Sequence, residues 1–320
     1  MTPLAPPTSS SGPGAGSGID SAVARIRRTG EFAMTGWHSD AGPWRAIWHR
    51  FRRKRGAMAG LGVIVAIAAV SAAAPLLAPY APNAILDMVA LKSQAPSLAH
   101  PFGTDPASRD VLSRVLFGGR VSLAVAVLAM LTAATVGTMY GAVSGYAGGV
   151  VDTVLMRVTD ACLSIPRILL LLTICALWGR PSLGALVLLL GLTSWFGVSR
   201  LVRAEIMALR TREWVIAARA LGATDARVLM RHLLPNIASP VIVATTLGIG
   251  NVVLLEAGLS YLGVGVQPPF ASWGNIMQDG SDQVRALWWL SVFPGLAIVA
   301  AVVAINAVGD GLREAADPRQ

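Results

Sequence analysis

The sequence predicts an all-α polytopic membrane protein with six transmembrane helices and one long cytoplasmic loop. Hydrophobic residues make up 54% of the 320 residues and charged residues only 13%, whereas ordinary soluble domains contain about 25% charged residues. The mean hydropathy is +0.61, and the formal net charge is +9. A chain with so few polar residues cannot coat a soluble globule of this size, which excludes a soluble single domain and a disordered protein.

Six apolar segments are long enough to cross a bilayer, since a core of about 30 Å needs about 20 apolar residues per helix. The third of them is the shortest and contains Pro166 and Arg167, and the fifth contains Glu256. The predicted spans are Ala57 to Ala78, Val121 to about Val143, about Ala161 to Trp178, about Leu183 to Ser199, about Ile237 to Leu262 and about Leu287 to Val308.

The remaining segments have distinct compositions. Residues 1–43 are rich in Pro, Ser and Gly and are predicted to form a disordered tail. Residues 44–56 are predicted to form an amphipathic helix at the cytoplasmic interface, because apolar residues recur at helical spacing, at Trp44, Ile47, Trp48 and Phe51. The basic residues there could also indicate nucleic acid, but the tryptophans and the adjoining span favour membrane lipid as the partner and no nucleic acid. The other predicted regions are 57–119 (first transmembrane helix and outer loop), 120–312 (a five-helix core with a loop at 211–236) and 313–320 (a cytoplasmic tail).

The positive charges predict the orientation of the spans. Arginine and lysine concentrate before the first span and between the fourth and fifth spans. These two regions are separated by four spans and therefore face the same side, which the positive-inside rule identifies as the cytoplasm. Six spans then place both the N-terminus and the C-terminus in the cytoplasm.

The loop at 211–236 is predicted to contain two short helices. Thr211 can cap the first, and Glu213 lies in its first turn, where the helix dipole favours an anion. Gly222 interrupts the helical pattern, and Thr224 or Asp225 can cap the second helix. A helix with small residues on one face allows a partner surface to approach closely. The alternative is a solvated loop helix that touches nothing.

The spacing within this loop resembles the EAA loop of binding-protein-dependent ABC importers. In that pattern Glu-Ala-Ala is followed by three residues, Gly, nine residues, Ile, any residue and Leu-Pro. Here Ile216 and His232 replace the Glu and the Ile, while the small pair, the glycine and the Leu-Pro end match at Ala217, Ala218, Gly222, Leu234 and Pro235.

Three further stretches resemble the C-type permease subunits of the dipeptide/oligopeptide (peptide/nickel) ABC importer family. The first is RRKRGAMAGLGVIV with the later APLLAPYAPN. The second is HPFGTDPASRDVLSRVLFGGRVSL at 100–123, where Ser108 stands in place of a usual glycine. The third is LLEAGLSYLGVGVQPPFASWG at 254–274. The resemblance covers about residues 50 to 315, and the four motifs stand in the family's order.

The resemblance implies a type I importer fold and a transport function. Such a subunit sits in the bacterial plasma membrane and forms half of a translocation pore with a B-type permease subunit. Two cytoplasmic ABC ATPase subunits bind ATP and Mg, and an extracytoplasmic substrate-binding protein delivers the cargo. The cargo implied is di- or oligopeptides, with nickel or haem as alternatives.

The resemblance also implies roles for particular residues. The residues implied in coupling to the ATPases are Glu213, Ala217, Ala218, Arg219, Gly222, Ala223, His232, Leu234 and Pro235. The outer-loop signature is Gly103, Thr104, Asp105, Arg109 and Asp110. Within it, either Asp105 or Asp110 is expected to orient Arg109 and hold the loop over the pore mouth.

Chemistry within this chain itself is not predicted. A P-loop requires Gly-x-x-x-x-Gly-Lys-Ser/Thr, and neither Lys54 nor Lys92 has that context. The histidines are scattered and have no metal-ligand spacing. The sequence therefore predicts no catalytic residues, no metal site and no cofactor bound by this chain. The chain is expected to be a translocase subunit and not an enzyme.

Ionisable residues near or within the spans leave alternatives open. Glu256 could line the translocation path, pair with a cation of the partner subunit, or form a structural hydrogen bond between helices. Arg167 is expected to snorkel to the cytoplasmic surface. Asp152 and Asp160 are both within helical reach of Arg157 and are expected to pair with it. A self-sufficient secondary transporter would need several such groups near the midplane, and only Glu256 qualifies.

Overall fold

The computed structural model describes residues 43–179 and 181–317. Within these ranges the regular elements are helical, apart from an isolated bridge between Thr104 and Asp110, and the all-α prediction is confirmed. The helices are α1 (Pro43–Arg52), α2 (Arg55–Ala72), α3 (Ala74–Leu77), α4 (Val111–Ala147), α5 (Gly149–Leu163), α6 (Arg167–Trp178), α7 (Leu183–Leu209), α8 (Glu213–Ala220), α9 (Asp225–Arg227), α10 (Leu234–Tyr261), α11 (Trp273–Asp279) and α12 (Trp289–Ala316). A π-helical turn at Val228–Leu233 joins α9 to α10, and a 3-10 turn at Ser281–Gln283 follows α11.

Five apolar helical segments are long enough to cross a membrane. They are α2, α4, α7, the continuous stretch from Asp225 to Tyr261 and α12, and they correspond to the first, second, fourth, fifth and sixth predicted spans. Several ends differ from the prediction, since α4 begins at Val111 rather than Val121 and α7 ends at Leu209 rather than Ser199. The polytopic membrane architecture is therefore confirmed.

The third predicted span differs from the structure. It was expected as one helix from about Ala161 to Trp178, but α5 and α6 meet there at an angle of 78°. The break covers residues 164–166, and Pro166 is the residue before α6. Proline lacks a backbone N–H and cannot continue the hydrogen-bond ladder of α5. The total reaches six spans only when α5 and α6 together count as one.

The predicted segment boundaries also shift. The boundary at 119/120 falls inside α4, because the helix starts at its cap Asp110. The interfacial segment at 44–56 is divided, since α1 ends at Arg52 and α2 starts at Arg55. The prediction of a disordered tail concerns residues 1–43, which lie outside the described residues except for Pro43. The chain divides into two units between Trp48 and His49, so α1 begins in one unit and ends in the other.

Local side chains define several helix starts. The Asp110 carboxylate accepts a hydrogen bond from the Ser113 backbone N–H at 2.8 Å, and Ser182 caps α7. Ser272 and Asn275 form a reciprocal capping box at the start of α11. Such caps satisfy backbone donors that have no partner inside the helix.

Helices α4 and α7 form the most extensive helix pair of the structure, and glycines allow them to approach closely. Gly137, Gly141 and Gly145 lie four residues apart on α4. A Cβ atom added at Gly141 would lie 2.3 Å from the Ser199 carbonyl oxygen on α7. Small residues at such spacing let helix backbones pack closely in a membrane. The sequence analysis did not single out this stripe, although its spacing was visible.

Candidate functional site

The predicted coupling loop is a short helix mounted on a buried support. Val215 of α8 is completely buried, as are Val228 and Leu233 in the π-helical turn. Burial of apolar side chains holds a segment in place by removing them from water. Helix α8 is therefore fixed to the body of the subunit through one face.

The other face of α8 is open. The exposed fractions of its apolar side chains are 41% for Trp214 and 57% for Ile216, and Leu221 just after the helix is 89% exposed. Exposed apolar residues that lie close together indicate an interaction surface. Ile216 stands where the EAA pattern has a glutamate, so this surface offers an apolar side chain at that position.

The structure brings the predicted coupling residues together on this loop. Glu213 occupies the first turn of α8, and Arg219 its last turn. Of the set, Glu213, Ala217, Arg219, Gly222 and Pro235 are exposed, and Ala218, Ala223, His232 and Leu234 are partly buried. The ring centroid of His232 lies 6.3 Å from that of Trp214, which links the start of α8 to the π-helical turn.

The turn between α8 and α9 depends on a glycine. Gly222 has φ of +85°, a left-handed conformation that glycine adopts without steric cost. Thr224, rather than Asp225, caps α9 by accepting from the Arg227 backbone N–H. Thr211 does not cap α8, since Arg212 occupies that position without a side-chain hydrogen bond.

A tyrosine at the end of α4 holds the loop, and the sequence analysis missed it. The Arg219 guanidinium lies 5.2 Å from the centroid of the Tyr146 ring, a cation–π distance. The Tyr146 hydroxyl donates to the Asp225 carboxylate. Arg210 also donates to the carbonyl oxygens of Gly145 at 3.0 Å and Tyr146 at 3.2 Å. These contacts join the end of α7, the last turn of α8 and the start of α9 to the long helix α4.

Ion pairs next to the loop connect α5 to α7. The Arg203 guanidinium donates to both carboxylate oxygens of Asp152 at 2.5 Å, and Arg200 pairs with Asp160. The expectation that Arg157 pairs with these two aspartates is therefore wrong. Helical spacing identified a possible partner on α5 itself, but α7 packs alongside α5 and places Arg200 and Arg203 within ion-pair distance of the two aspartates.

The predicted outer-loop signature forms a compact ion-pair cluster. Asp105 is completely buried and contacts Arg109 at 2.6 Å and Arg114 at 2.5 Å. The Asp279 carboxylate at the end of α11 pairs with the same two arginines, at 2.9 Å and 2.5 Å. Bidentate and shared arginine–carboxylate contacts are among the stronger polar interactions in proteins. The cluster joins the start of α4 to α11.

Asp105, and not Asp110, is the carboxylate that orients Arg109. Asp110 instead caps α4 and lies 2.9 Å from His100 Nδ1. Arg114 and Asp279, which complete the cluster, were not predicted. Arg114 was visible in the sequence next to the signature, but Asp279 lies more than 160 residues away.

The other two signature residues shape the loop. Thr104 donates its hydroxyl to the Leu91 carbonyl oxygen at 2.5 Å and accepts from the Gln94 backbone N–H at 2.8 Å. Gly103 has φ of +76°, and an added Cβ would lie 2.6 Å from the Gln94 carbonyl oxygen. Both residues therefore have structural partners within the outer segment.

One further carboxylate of the outer segment is held by backbone groups. The Ala90 and Val89 N–H groups both donate to Asp87 and hold the pKa of that carboxyl below its ordinary value. Hydrogen bonds to the charged form of a carboxylate favour that form.

Glu256 lies inside this subunit. Its side chain is completely buried, and the Ser260 hydroxyl donates to Oε1 at 2.7 Å. Ser122 on α4 and Ser272 at the start of α11 also lie close to the carboxyl group. Among the described residues, Oε2 has no hydrogen-bond partner. The position fits an interhelical contact between α10, α4 and α11 better than a path-lining residue.

Two adjacent cavities open along the face where α7 and α10 lie side by side. The larger, of about 760 Å³, is lined by Glu205, Asn236, Arg313 and apolar residues near the ends of α7 and α12. The smaller, of about 250 Å³, is lined by Arg167, Ser194, Asn251 and others near the middle of the helices. Both are bordered by Ala244 and Leu247, so they lie next to each other. We call the two together the membrane groove.

The Arg167 side chain, which was expected to snorkel to the cytoplasmic surface, is bound by α7. Its guanidinium donates to the Leu190 carbonyl oxygen at 3.1 Å and to the Ser194 hydroxyl. The break before α6 turns the side chain toward the middle of α7 instead. In the part of the chain that the structure describes, no group of His, Cys, Asp and Glu residues could hold a metal ion.

Comparison with known proteins agrees with this architecture. The chain is 36% identical over 273 residues to the dipeptide transport system permease protein DppC of Bacillus subtilis (strain 168), covering 85% of this chain and 84% of that protein. It is 40% identical over 299 residues to a protein of Brucella suis biovar 1 that is provisionally named a peptide permease protein, covering 93% of this chain and 97% of that protein.

Two family models match the chain. Residues 42–96 match the N-terminal transmembrane domain of oligopeptide transport permease C. Residues 137–320 match the binding-protein-dependent transport system inner membrane component, which covers more than half of the chain. The family consists of transport permease subunits of ABC importers and not of enzymes, in agreement with the sequence prediction. The chain therefore belongs to the binding-protein-dependent transport system inner membrane components, as a multi-pass membrane subunit of an ABC importer.

Proposed function

We propose that this chain is the C-type permease subunit of an ATP-driven importer of di- and oligopeptides. It forms half of the translocation pore with a B-type permease subunit. Two ABC ATPase subunits bind ATP and Mg on the cytoplasmic side, and an extracytoplasmic binding protein delivers the peptide. The names of the relatives support the cargo, because one is named a peptide permease protein and the other a dipeptide transport system permease protein.

The observation that carries the proposal is the mounting of α8. A helix that must transmit motion needs an open face for the motor and a rigid connection to the moving body. Ile216 and Leu221 are exposed on the open face, and Tyr146 connects the loop to α4 through Arg219 and Asp225. ATP-driven closure of the ATPases would move α8 and, with it, α4 and α7. This is a two-state gate driven by nucleotide.

The orientation follows from the same docking. If α8 meets cytoplasmic ATPases, the end of α7 and the start of α10 lie on the cytoplasmic side, and the outer ion-pair cluster faces the binding protein. Both chain termini are then cytoplasmic. The concentration of arginines around the loop supports this orientation by the positive-inside rule.

A single substitution on the open face tests the docking. In Leu221→Arg a charge replaces an exposed apolar side chain, so the subunit should fold, and the ATPases should be lost from the complex purified in mild detergent. Leu98→Arg is the matched control, because Leu98 is fully exposed in the outer segment. Equal recovery of ATPase subunits with both variants would contradict the docking role of α8.

The cargo is tested separately with the complete complex in proteoliposomes. We expect uptake of labelled dipeptides and short oligopeptides that depends on ATP and on the binding protein. Uptake of nickel or haem without peptide uptake would refute the peptide cargo and leave the importer architecture unaffected.

A further inference from the structure

Arg167 is a cation placed in the middle of the membrane region. It is the first residue of α6, directly after the break in the third predicted span. Its side chain is positioned by the Leu190 carbonyl oxygen, the Ser194 hydroxyl and, at 3.4 Å, the Thr193 hydroxyl. Residues 190–194 lie roughly 10–17 Å from the outer end of α7 at a rise of about 1.5 Å per residue, which is close to the bilayer centre.

The partners of Arg167 are all uncharged. None of the ion pairs found in residues 43–179 and 181–317 involves it. A cation inside the membrane is costly unless it faces a wet cavity or an opposite charge, and such residues mark substrate pathways. The neutral partners orient the guanidinium and leave its charge without a counter-ion.

The guanidinium faces an open space with matching chemistry. The smaller cavity of the membrane groove has a volume of about 250 Å³ and is lined by Arg167, Ser194 and Asn251 among small and apolar residues. A volume of this size accommodates part of a peptide, and the polar residues can hydrogen-bond it. The 12-residue helix α6 also begins here, and the positive end of its dipole adds to the attraction for an anion.

A second, larger cavity lies next to this one, toward the far ends of α7 and α12. The two cavities share Ala244 and Leu247, and the larger one reaches Glu205 and Arg313 near those ends. An anion held at Arg167 would therefore lie in the membrane groove, next to the larger cavity. Sites near the bilayer midplane, at the ends of broken helices, suit alternating access.

We propose that Arg167 binds a carboxylate of the transported peptide, its C-terminal carboxylate in an unmodified peptide, halfway along the translocation path. This inference rests on the proposed function, since it requires peptide cargo. The contacts with α7 use Nε and Nη2, so the Nη1 group is left to donate a charge-assisted hydrogen bond to a carboxylate. The site would favour peptides with a free C-terminus over amidated ones at the membrane step.

The test uses the complete transporter with its binding protein in proteoliposomes. Uptake of a peptide with a free C-terminus is divided by uptake of its C-terminal amide, and this ratio is compared between protein variants. The same binding protein serves in every sample, so its own preference cancels. We expect Arg167→Gln to lower the ratio about tenfold, the size of one lost charge-assisted contact. Arg157→Gln, on the exposed surface of α5, should leave the ratio unchanged.

A second pair of variants keeps Arg167 and its contacts with α7. Asn251→Asp introduces a carboxylate into the same cavity and should compete with the peptide, which lowers the ratio as Arg167→Gln does. Asn251→Leu has nearly the same volume without the charge and should not. Asn251 is exposed in this subunit, so both variants should fold.

The outcomes separate the two proposals. An unchanged ratio in both Arg167→Gln and Asn251→Asp, with peptide uptake intact, overturns the carboxylate site alone. Loss of the partner permease from the Arg167→Gln complex also overturns it, because the counter-charge then belongs to the subunit interface. A wild-type complex that hydrolyses ATP but takes up no peptide refutes the proposed cargo and, with it, this inference.

Discussion

Ser108 stands where the outer-loop motif of the family usually has glycine, and replacing it with glycine should stabilise the protein. Its φ is +58°, in the left-handed region that costs a residue with a Cβ about 1–2 kcal/mol. Its side chain is completely buried, and its hydroxyl oxygen has no hydrogen-bond partner among the described residues. An unsatisfied buried hydroxyl costs about 1–3 kcal/mol.

The net effect of Ser108→Gly follows from these two gains and two losses. Glycine costs about 0.5–1 kcal/mol in backbone entropy, and removing two buried atoms leaves a small void that costs up to about 1 kcal/mol. The backbone hydrogen bonds to Asp105 at 2.9 Å and from Leu86 at 3.1 Å involve no side-chain atom and should persist. We expect a gain of about 1–2 kcal/mol in the free energy of unfolding.

Thermal unfolding of the purified chain in mild detergent measures this gain. At about 2–4 °C per kcal/mol, a gain of about 1–2 kcal/mol raises Tm by roughly 2–8 °C. Ser108→Ala removes the hydroxyl but keeps the Cβ, so it should give part of the rise. Ser93→Gly is the matched control for the backbone term, since Ser93 has φ of +54° but is not fully buried. A Tm for Ser108→Gly at or below that of the wild type would refute the reasoning.

Three further substitutions test other parts of the structure. Asp105→Asn should lower the free energy of unfolding by about 3–5 kcal/mol, because it leaves Arg114 buried with one partner fewer. Asp282→Asn, at an exposed position, is the control. Equal denaturation midpoints for the two variants would contradict the prediction. Gly141→Ala should destabilise the protein by about 1–3 kcal/mol, since the new Cβ would lie 2.3 Å from the Ser199 carbonyl oxygen. Gly62→Ala is the control and should not destabilise, because the space around its Cβ is open. Equal melting curves for the two variants would show that α4 and α7 can separate without cost. Glu256→Gln should keep peptide uptake within about twofold of the wild type, because the carboxyl group is buried among Ser260, Ser122 and Ser272 of the same chain. A variant that folds and assembles but has lost uptake would place Glu256 on the translocation path.

The locations of the apolar helices were accessible from the sequence, whereas their ends and breaks were less so. Hydropathy predicts a span from neighbouring residues alone, and five predicted spans correspond to single long helical segments. The second span was predicted to begin at Val121, whereas α4 begins at Val111 and so includes the charged Arg114. Its charge is balanced by Asp105 and by Asp279 on a distant helix. The bend between α5 and α6 had a local signal in Pro166, but its angle had none.

The candidate sites were likewise predictable from the sequence only in part. The spacing of Ala217, Ala218, Gly222 and Pro235 marked the coupling loop because that motif lies within one short stretch. The support of the loop by Tyr146 could not be read, since it joins residues about 70–80 positions apart. Likewise, the choice between Asp105 and Asp110 as the partner of Arg109 required the folded outer segment.

The sequence by itself determined the membrane class, the approximate spans, the coupling motif and the family resemblance, because all of these are patterns along the chain. The tertiary structure decided which charges pair, that α4 and α7 touch at Gly141, and that Arg167 faces the membrane groove. These features depend on which helix faces lie together, and the energy of a close approach or an ion pair exists only once distant segments are in contact.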